Sequence, residues 1–436
     1  YLTIFSGIEK LMPGHYLICN EKGIQIKQYW DVDFRNKRSG SESELFDEFL
    51  ELLKKAVKLR LISDVPLGAF LSGGIDSSLI VALMSEVADL PPRTFSIGFD
   101  DALYDETPFS DLVAKQYNTV HQNHTVQADI QNVLGQIVSA FDEPFADDGA
   151  IPCFHVCRET RKAVTVALSG LGGDELFGGY HRYLGFSLSQ WTSKLPFMST
   201  DAVKRLVAKI PESKDGGYTV DRLKRFVNAA SLPSAQRYIN YLYMMDDERR
   251  STFYHPDIHR EVYPKSVCLN ELSKFFNQPD SGFEIDKAYY LDAKIYLPDD
   301  VLALTDRMSM WHSLEVRVPF LDHNLVEFAA TLDPKLKIRN MAMKYFLKKA
   351  ARPYLPDTII NKRKQGFVGP LPLWLMRDLK EYTFDTLSEE NLKRHGLFNI
   401  DTVKQILNEH MNRERKHETL IWAMLVFDCW YKSYME

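Results

Sequence analysis

Two aspartates in glycine-rich turns and a basic loop carry the residue types of this chain that can do phosphate chemistry. The first turn is Ser72-Gly73-Gly74-Ile75-Asp76-Ser77-Ser78. Where such a turn enters a helix, the free N–H groups of the first helical turn face outward and the dipole favours negative charge, so it makes an anion site. Gly73 and Gly74 carry no Cβ and let the backbone close on a phosphate. Ser72, Ser77 and Ser78 add hydroxyl donors. Asp76 runs against this chemistry, because a carboxylate repels a phosphate unless a cation lies between them; it reads as a Mg²⁺ ligand. The second turn is Ser169-Gly170-Leu171-Gly172-Gly173-Asp174-Glu175-Leu176-Phe177-Gly178-Gly179-Tyr180, again acidic. If the strands leading into the two turns are neighbours, Asp76 and Asp174 share one Mg²⁺ over a run of phosphates. The plainer reading of Asp174 and Glu175 is an acidic pair favoured by a helix dipole. Residues 362–367 set Arg363 and Lys364 beside Gly366, with Gly369, Pro370 and Pro372 following. That is a loop with two cations for a pyrophosphate, or a solvated basic turn.

The elements that position these residues alternate. Residues 65–71 read as a buried strand interrupted by Pro66 and Gly68, and residues 79–84 as the first turns of a buried helix. A second strand is expected at 94–99, a helix at 107–117, a short strand at 120–126, and helices at 129–141 and near 153–162. The β-branched run 163–168 suits a central parallel strand. Strands separated by helices predict an α/β fold, a doubly wound parallel sheet with its ligand site at the strand C-termini. Before this unit, residues 1–34 alternate like β structure, with a turn at 20–23; two or three strands cannot bury a core alone. They pack on the domain after them, or belong to a sheet whose other strands are absent here. Residues 35–44 read as a linker and 44–61 as an amphipathic helix. After the second turn the chain reads as largely helical, with a polar loop at 211–218 and no chemistry between 185 and 285. Tyr296-Leu297-Pro298-Asp299-Asp300 reads as a helix start, with proline and acids in its first turn. The alternating charges at 315–322 are surface ion pairs of little worth or a polar wall. The aromatics between Trp422 and Tyr431 read as core.

The bulk numbers narrow the function. Of 436 residues, 45% are hydrophobic and 26% charged, as in ordinary globular chains. Net charge is −6 with no long basic run, which argues against nucleic acid as partner. Five scattered cysteines suit a reducing, cytoplasmic setting. Cys153 and Cys157 flank His155, but no second pair completes a zinc site, so both read as buried thiols. No apolar run reaches membrane-spanning length. The chain starts at Tyr1 without an initiator methionine or a signal-peptide pattern, and its first segment reads as a piece of something larger. It has neither a GxxxxGK[ST] P-loop nor a GxGxxG turn in a βαβ unit.

The first turn resembles the pyrophosphate loop of ATP pyrophosphatases, which split ATP between its α and β phosphates and leave AMP on the substrate. Taken with SGLGGDELFGGY at 169–180, DRMSM at 306–310, LEVRVPFLD at 314–322 and KQGF at 364–367, it resembles the synthetase half of glutamine-dependent asparagine synthetases over nearly the whole chain. Asp142-Glu143-Pro144 and Ala150-Ile151-Pro152 share the likeness. Residues 1–34, with Gly7-Ile8, Pro13-Gly14-His15 and Tyr29-Trp30-Asp31, resemble the tail of that family's N-terminal glutaminase (class II amidotransferase) domain. The body of that domain, with its cysteine nucleophile, is not in this sequence, and none of the five cysteines takes the role. The resemblance thus implies a remnant of the glutaminase domain at 1–34 and an ATP-dependent synthetase domain at 35–436, with a sheet of the ATP pyrophosphatase (adenine nucleotide alpha hydrolase-like) type.

The chemistry it implies is carbon–nitrogen ligation. A carboxylate, L-aspartate first, attacks the α-phosphate of ATP to give an acyl-adenylate and pyrophosphate; ammonia derived from glutamine then displaces AMP. ATP and Mg²⁺ are the implied cofactors, with a glutaminase domain in cis, no membrane, and room for a homodimer. By resemblance, Leu71 and Ile97 flank adenine, Ser169 and Gly170 contact the nucleotide, and Ser72, Gly73, Gly74, Asp76, Ser77 and Ser78 hold pyrophosphate. Asp76 and Asp174 hold Mg²⁺, Lys364 stabilises charge developing on the phosphates, and Glu315 orients the acceptor or the lysine. One departure stands out. The family usually has glutamate at the third position of the second turn, where this chain has Leu171, which can neither accept a proton nor hydrogen-bond an attacking amine. The acceptor therefore stays open between aspartate and the sugar acids, peptides or lactam precursors of related enzymes. A tRNA-modifying ATP pyrophosphatase and a non-catalytic scaffold are the readings from other classes.

Overall fold

The computed structural model describes residues 2–126, 129–192, 201–210, 219–245, 247–262 and 267–436. Two strands, β1 (His15–Asn20) and β2 (Gly23–Gln28), pair as an antiparallel hairpin. The other five, β3 (Leu67–Phe70), β4 (Arg93–Phe99), β5 (Val120–Val126), β6 (Val166–Leu168) and β7 (Glu315–Arg317), form one parallel sheet in the order β5-β4-β3-β6-β7. The chain starts at β3, builds outward through β4 and β5, then returns to add β6 and β7 on the other side. Strand order therefore reverses between β3 and β6, and the crevice outside the carboxyl ends of two such strands is where open α/β sheets bind ligands. Gly68 lies opposite Ala167 and Ala69 opposite Leu168, so the ends of β3 and β6 are level.

Successive strand residues point to opposite faces, and each face is covered. Ala167 joins a core with α4 (Ile130–Phe141), α5 (Ala150–Arg161) and the C-terminal helix Glu418–Tyr434, where Ile137, Phe154, Trp422 and Leu425 are buried. Leu168, Ala69 and Leu71 join the opposite core, with α1 (Glu42–Arg60), α2 (Ile75–Val87) and the helices His323–Thr331 and Tyr345–Ala351. Phe49, Phe328 and Phe346 fill it; each fully buried ring contributes roughly 1.5–3 kcal/mol by transfer from water. The doubly wound sheet expected from the strand–helix alternation is thus present. Helix α1 is entered through a capping box, Glu44 N donating to Ser41 Oγ at 3.3 Å and Ser41 N to Glu44 Oε2 at 2.9 Å.

A third core of Tyr183, Phe186, Tyr238, Phe276, Tyr289 and Tyr290 holds the helical region together and takes in Val32 and Phe34. Residues 29–34 are docked on this body: Tyr290 OH donates to Asp31 Oδ2 at 2.8 Å and Trp30 Nε1 to Glu327 Oε1 at 2.8 Å. The hairpin β1–β2 is not docked in this way, and Ile24 and Ile26 are 66% and 54% exposed. Among the described residues no helix is long and apolar enough to cross a membrane.

Three expectations change. The run read as a strand at 163–168 is a strand only over Val166–Leu168, because only that part finds partners on both sides. Strand β7 was not anticipated: three residues of alternating charge carry no strand signal until β6 supplies a ladder. Pro298 does not start a helix. It lies inside a π-helical segment, Asp292–Leu302, continuous with α-helices at Glu284–Leu291 and Ala303–Trp311. The widened i→i+5 ladder tolerates the missing proline N–H that an α-helix accepts only in its first turn. The polar loop expected at 211–218 lies outside the described residues.

Candidate active site

The turn between β3 and α2 is shaped by its own glycines and serines. Gly73 has φ +67°, and a Cβ there would lie 2.6 Å from Ser110 N, so glycine is required on both counts. Gly74 is the N-cap of α2 and offers no side chain to compete for the first-turn N–H groups. Ser72 N donates to Ser77 Oγ at 3.2 Å, and the Ser72 and Ser77 hydroxyls lie 3.0 Å apart. Ser78 Oγ, in the first turn of α2, is buried with no hydrogen-bond partner among the described residues.

The second turn, between β6 and α6 (Gly173–Phe177), packs directly on the first. A Cβ at Gly170 would lie 2.6 Å from Ser77 N and 2.9 Å from the Asp76 carbonyl carbon, and one at Gly173 would overlap the Asp76 carboxylate. This close approach brings Asp76 and Asp174 onto one cation. The Lys344 ammonium pairs with Asp76 Oδ2 and lies 2.8 Å from Asp174 Oδ1. The Lys364 ammonium lies 2.6 Å from Asp174 Oδ2. Burial opposes the charge on Asp174 most strongly, yet Lys344 and Lys364 together outweigh it and hold that carboxyl below its ordinary value. Burial pushes Asp76 up, with Lys344 acting against it and the Asp174 charge adding to it. Burial also disfavours the Lys344 charge, but the two aspartates overcome it and raise its pKa.

Asp76 Oδ1 is a buried carboxylate oxygen with no hydrogen-bond partner among the described residues. Such an oxygen beside a second carboxylate fits a hard divalent cation. Among the described residues no cluster of three or more His, Cys, Asp or Glu could hold a metal alone. A two-carboxylate site suits Mg²⁺, which is commonly bound by one or two carboxylates with phosphate oxygens and water completing its shell.

Asp76, Asp174 and Lys364 line one cavity of about 340 Å³ at the β3/β6 crevice, together with Leu71, Ser72, Ser77, Ile97, Ser169, Gly170 and Leu171. Leu71 and Ile97 are both buried. Another wall carries Asp147, Glu175, Tyr180 and Tyr296. Burial, then the Asp174 charge, lifts Glu175 to about 7, and Tyr180 OH donates to Glu175 Oε1 at 2.5 Å. Burial followed by the Asp147 charge raises the neighbouring Asp300 to about 7. Arg182 stiffens this wall: its guanidinium lies 4.0 Å from the Tyr180 ring centre and 4.1 Å from that of Tyr296, and bonds Asp292 at 2.7 Å. The loop that bears Lys364 rests on the cavity mouth. Lys362 lies 2.6 Å from Glu106 Oε1 and donates to the Ser72 carbonyl at 3.3 Å, while Gln365 Nε2 donates to the Leu103 carbonyl at 3.1 Å. Arg363, the second cation expected at a pyrophosphate, is exposed.

The structure thus gathers Leu71, Ser72, Asp76, Ser77, Ile97, Ser169, Gly170, Asp174 and Lys364 around one space, with Gly73, Gly74 and Ser78 in the loop beside it. It does not bring Glu315 there, which corrects the expectation that Glu315 orients acceptor or lysine. Glu315 opens β7, pairs in register with Val166, and bonds the Arg317 guanidinium at 2.6 Å, its side chain 56% exposed. The site lies at the carboxyl ends of the strands, and Glu315 is at an amino end. Conversely, Lys344, Lys362, Glu106, Asp147 and Asp300 were not anticipated. Lys344 is one of several lysines in a helical stretch, and its left-handed backbone, φ +54°, has no signature in the sequence.

Comparison with known proteins gives the family. Residues 48–432 match the family model described as asparagine synthase. Asparagine synthetase (glutamine-hydrolysing) 1 of Bacillus subtilis is 30% identical over 437 residues, which cover 100% of this chain and 66% of that protein. Asparagine synthetase (glutamine-hydrolysing) 3 of the same organism is 27% identical over 459 residues, 99% of this chain and 67% of that one. An amidase of Gibberella zeae is 26% identical over 452 residues, 94% and 66% respectively. The chain spans about two thirds of the length of these relatives. With a match that runs from residue 48 to residue 432, through both turns and the lysine loop, the chain belongs to the asparagine synthase family.

Proposed function

We propose that this chain activates a carboxylate with ATP as an acyl-adenylate, releases pyrophosphate, and forms an amide when ammonia displaces AMP. The observation that carries the reading is the convergence of Asp76, Asp174 and Lys364 on one cavity beside a helix N-terminus preset for phosphate. An acceptor carboxylate oxygen attacks the α-phosphorus as the bond to the β-phosphate oxygen breaks. The charge left on pyrophosphate meets the N–H groups at the start of α2, the Ser72 and Ser77 hydroxyls and the Lys364 ammonium. Leu71 and Ile97 form an apolar slot for adenine, and Ser169 and Gly170 border the nucleotide. Asp76 and Asp174 would hold Mg²⁺, which would supply charge neutralisation at the phosphates. In the second half, ammonia must shed a proton once it has attacked the acyl carbon. With leucine at 171, the carboxylates left in the cavity lining besides the Asp76–Asp174 pair include Asp147 and Glu175.

L-Aspartate is the first acceptor to test. Leu171 and the similarity to an amidase favour a second reading, the same adenylation on another carboxylate. The deciding assay measures AMP and pyrophosphate from ATP and Mg²⁺ with ammonia and aspartate, then with sugar acids and peptides. Pyrophosphate release with some carboxylate supports the reaction class, and the carboxylate that supports it names the acceptor. No release with any of them, or tight salt-sensitive tRNA binding, would overturn it. We also read residues 1–34 as the end of a glutaminase domain, whose remaining strands would cover the exposed apolar residues of β1 and β2 and which would supply ammonia from glutamine. The free cysteines suit a cytoplasmic setting.

A further inference from the structure

The two lysines that neutralise Asp76 and Asp174 are held very differently. Lys344 Nζ is wedged between the two carboxylates, its side chain 5% exposed. Its backbone opens the helix Tyr345–Ala351, and its carbonyl accepts from Lys348 N at 2.8 Å. A Cβ on Gly179 would run into both the Asp174 carboxylate and Lys344 Cε, so the second turn leaves room for this ion pair. Lys364 sits in irregular chain, its side chain is 35% exposed, and it pairs with Asp174 Oδ2 at 2.6 Å. The oxygens divide in the same way. Asp76 Oδ2 pairs with Lys344, Asp174 Oδ1 lies 2.8 Å from the same ammonium as an ion pair without a hydrogen bond, Asp76 Oδ1 has neither an ion pair nor a hydrogen bond among the described residues, and Asp174 Oδ2 faces Lys364.

On this geometry we propose that Lys344 is a resident cation that holds the two carboxylates together, and that Lys364 is an exchangeable one which leaves Asp174 Oδ2 when a divalent ion takes that oxygen with Asp76 Oδ1. Charge supports the exchange. Two carboxylates and two ammoniums form a neutral quartet; a dication added to it would leave two positive charges in excess in a largely buried site, and departure of Lys364 halves that excess. Lys344 cannot depart so readily, because its side chain is buried and its backbone is tied into a helix start. Ion binding and the freeing of Lys364 toward the phosphates are then one event. This rests on the reading of Asp76 and Asp174 as Mg²⁺ ligands, and Lys344 acts as a positioning residue, not a catalytic one.

The test is acetylation of lysines by an amine-reactive ester, read peptide by peptide by mass spectrometry, in EDTA and in millimolar MgCl₂ without nucleotide. Exposed Lys27 on β2 serves as internal reference. The expected result is that Mg²⁺ raises Lys364 labelling several-fold relative to Lys27, with Lys344 unlabelled in both conditions. Asp174→Asn should free Lys364 in EDTA and abolish its response to Mg²⁺. Lys344→Met should melt lower than wild type in EDTA and regain more from Mg²⁺ than wild type gains; if that variant fails to fold, the wild-type labelling still decides. A rise in wild-type melting temperature with Mg²⁺ but unchanged Lys364 labelling would overturn the exchange and leave the metal-ligand reading intact. Labelling of Lys344 on Mg²⁺ addition would reverse the two roles. No effect of Mg²⁺ on melting or on labelling would remove both the exchange and the ligand reading, while pyrophosphate release is scored separately.

Discussion

Lys364 is attached to the site by an ion pair on a loop, so its substitution tests chemistry more than folding. Lys364→Ala should lower kcat for pyrophosphate release by about 10²–10³-fold, the range for loss of one preorganised electrostatic contact, while ATP binding weakens far less. Equal losses in turnover and in calorimetric ATP affinity would contradict a role confined to transition-state charge. Glu175 offers a test of stability at the same scale. Its carboxyl is lifted to about 7 by burial and then by Asp174, so the folded chain holds this proton more tightly than the unfolded chain does. The stabilisation is complete below the unfolded value near pH ~4.3 and is lost as pH rises toward 7, an effect of roughly 3 kcal/mol. Glu175→Gln should therefore flatten the fall of unfolding free energy between about pH 5 and pH 7 in urea titrations. Asp148 and Asp300, both raised to about 7 mainly by burial, act in the same direction, so the slope should shrink and not vanish.

At the scale of elements, the site depends on two strand–turn–helix units meeting without side chains between them. Gly170→Ala would put a methyl group 2.6 Å from a backbone nitrogen, which cannot rotate out of the way. We expect a loss of about 1–3 kcal/mol in stability, as for other overpacked positions, with a larger proportional fall in pyrophosphate release because Asp76 and Asp174 move apart. Thermal unfolding and turnover on the same preparation separate the two effects; normal turnover would show that the turns can part harmlessly. Much of this organisation is legible in the chain. Strands β3 to β5, helices α1, α2, α3 (Thr107–Gln116), α4 and α5 and the two turns are announced by apolar periodicity and by glycine spacing, both of which are local. Strand β7 and the π-helical segment are not, since one exists by pairing with β6 and the other places a proline where local cues put a helix start.

Across the whole molecule, two cores clamp the sheet and a third anchors residues 30–34, while the hairpin before them lies outside all three. Leu168→Ala, in the middle of the sheet, should cost about 2–5 kcal/mol. Ile24→Ser and Ile26→Ser should each change stability by no more than about 0.5 kcal/mol, because both side chains are already in water. A large loss of melting temperature from either hairpin variant would show that the hairpin contributes to the fold as it stands. Under the reaction we propose, a preparation of these 436 residues alone should release pyrophosphate with free ammonia and not with glutamine; glutamine-dependent turnover of that preparation would place a glutaminase nucleophile within them.

Local chemistry along the chain specifies the phosphate turn, the acidic turn, the basic loop and the parallel sheet between them, because glycine spacing, helix-entry chemistry and hydrophobic alternation act over a few residues. Long-range packing is what stands Lys344 between Asp76 and Asp174, turns Glu315 away from the site, and brings Asp147 and Tyr296 into its wall. Lys344 and Asp76 are 268 positions apart, and an ion pair across that distance depends on how whole elements pack, which no local pattern of residues encodes.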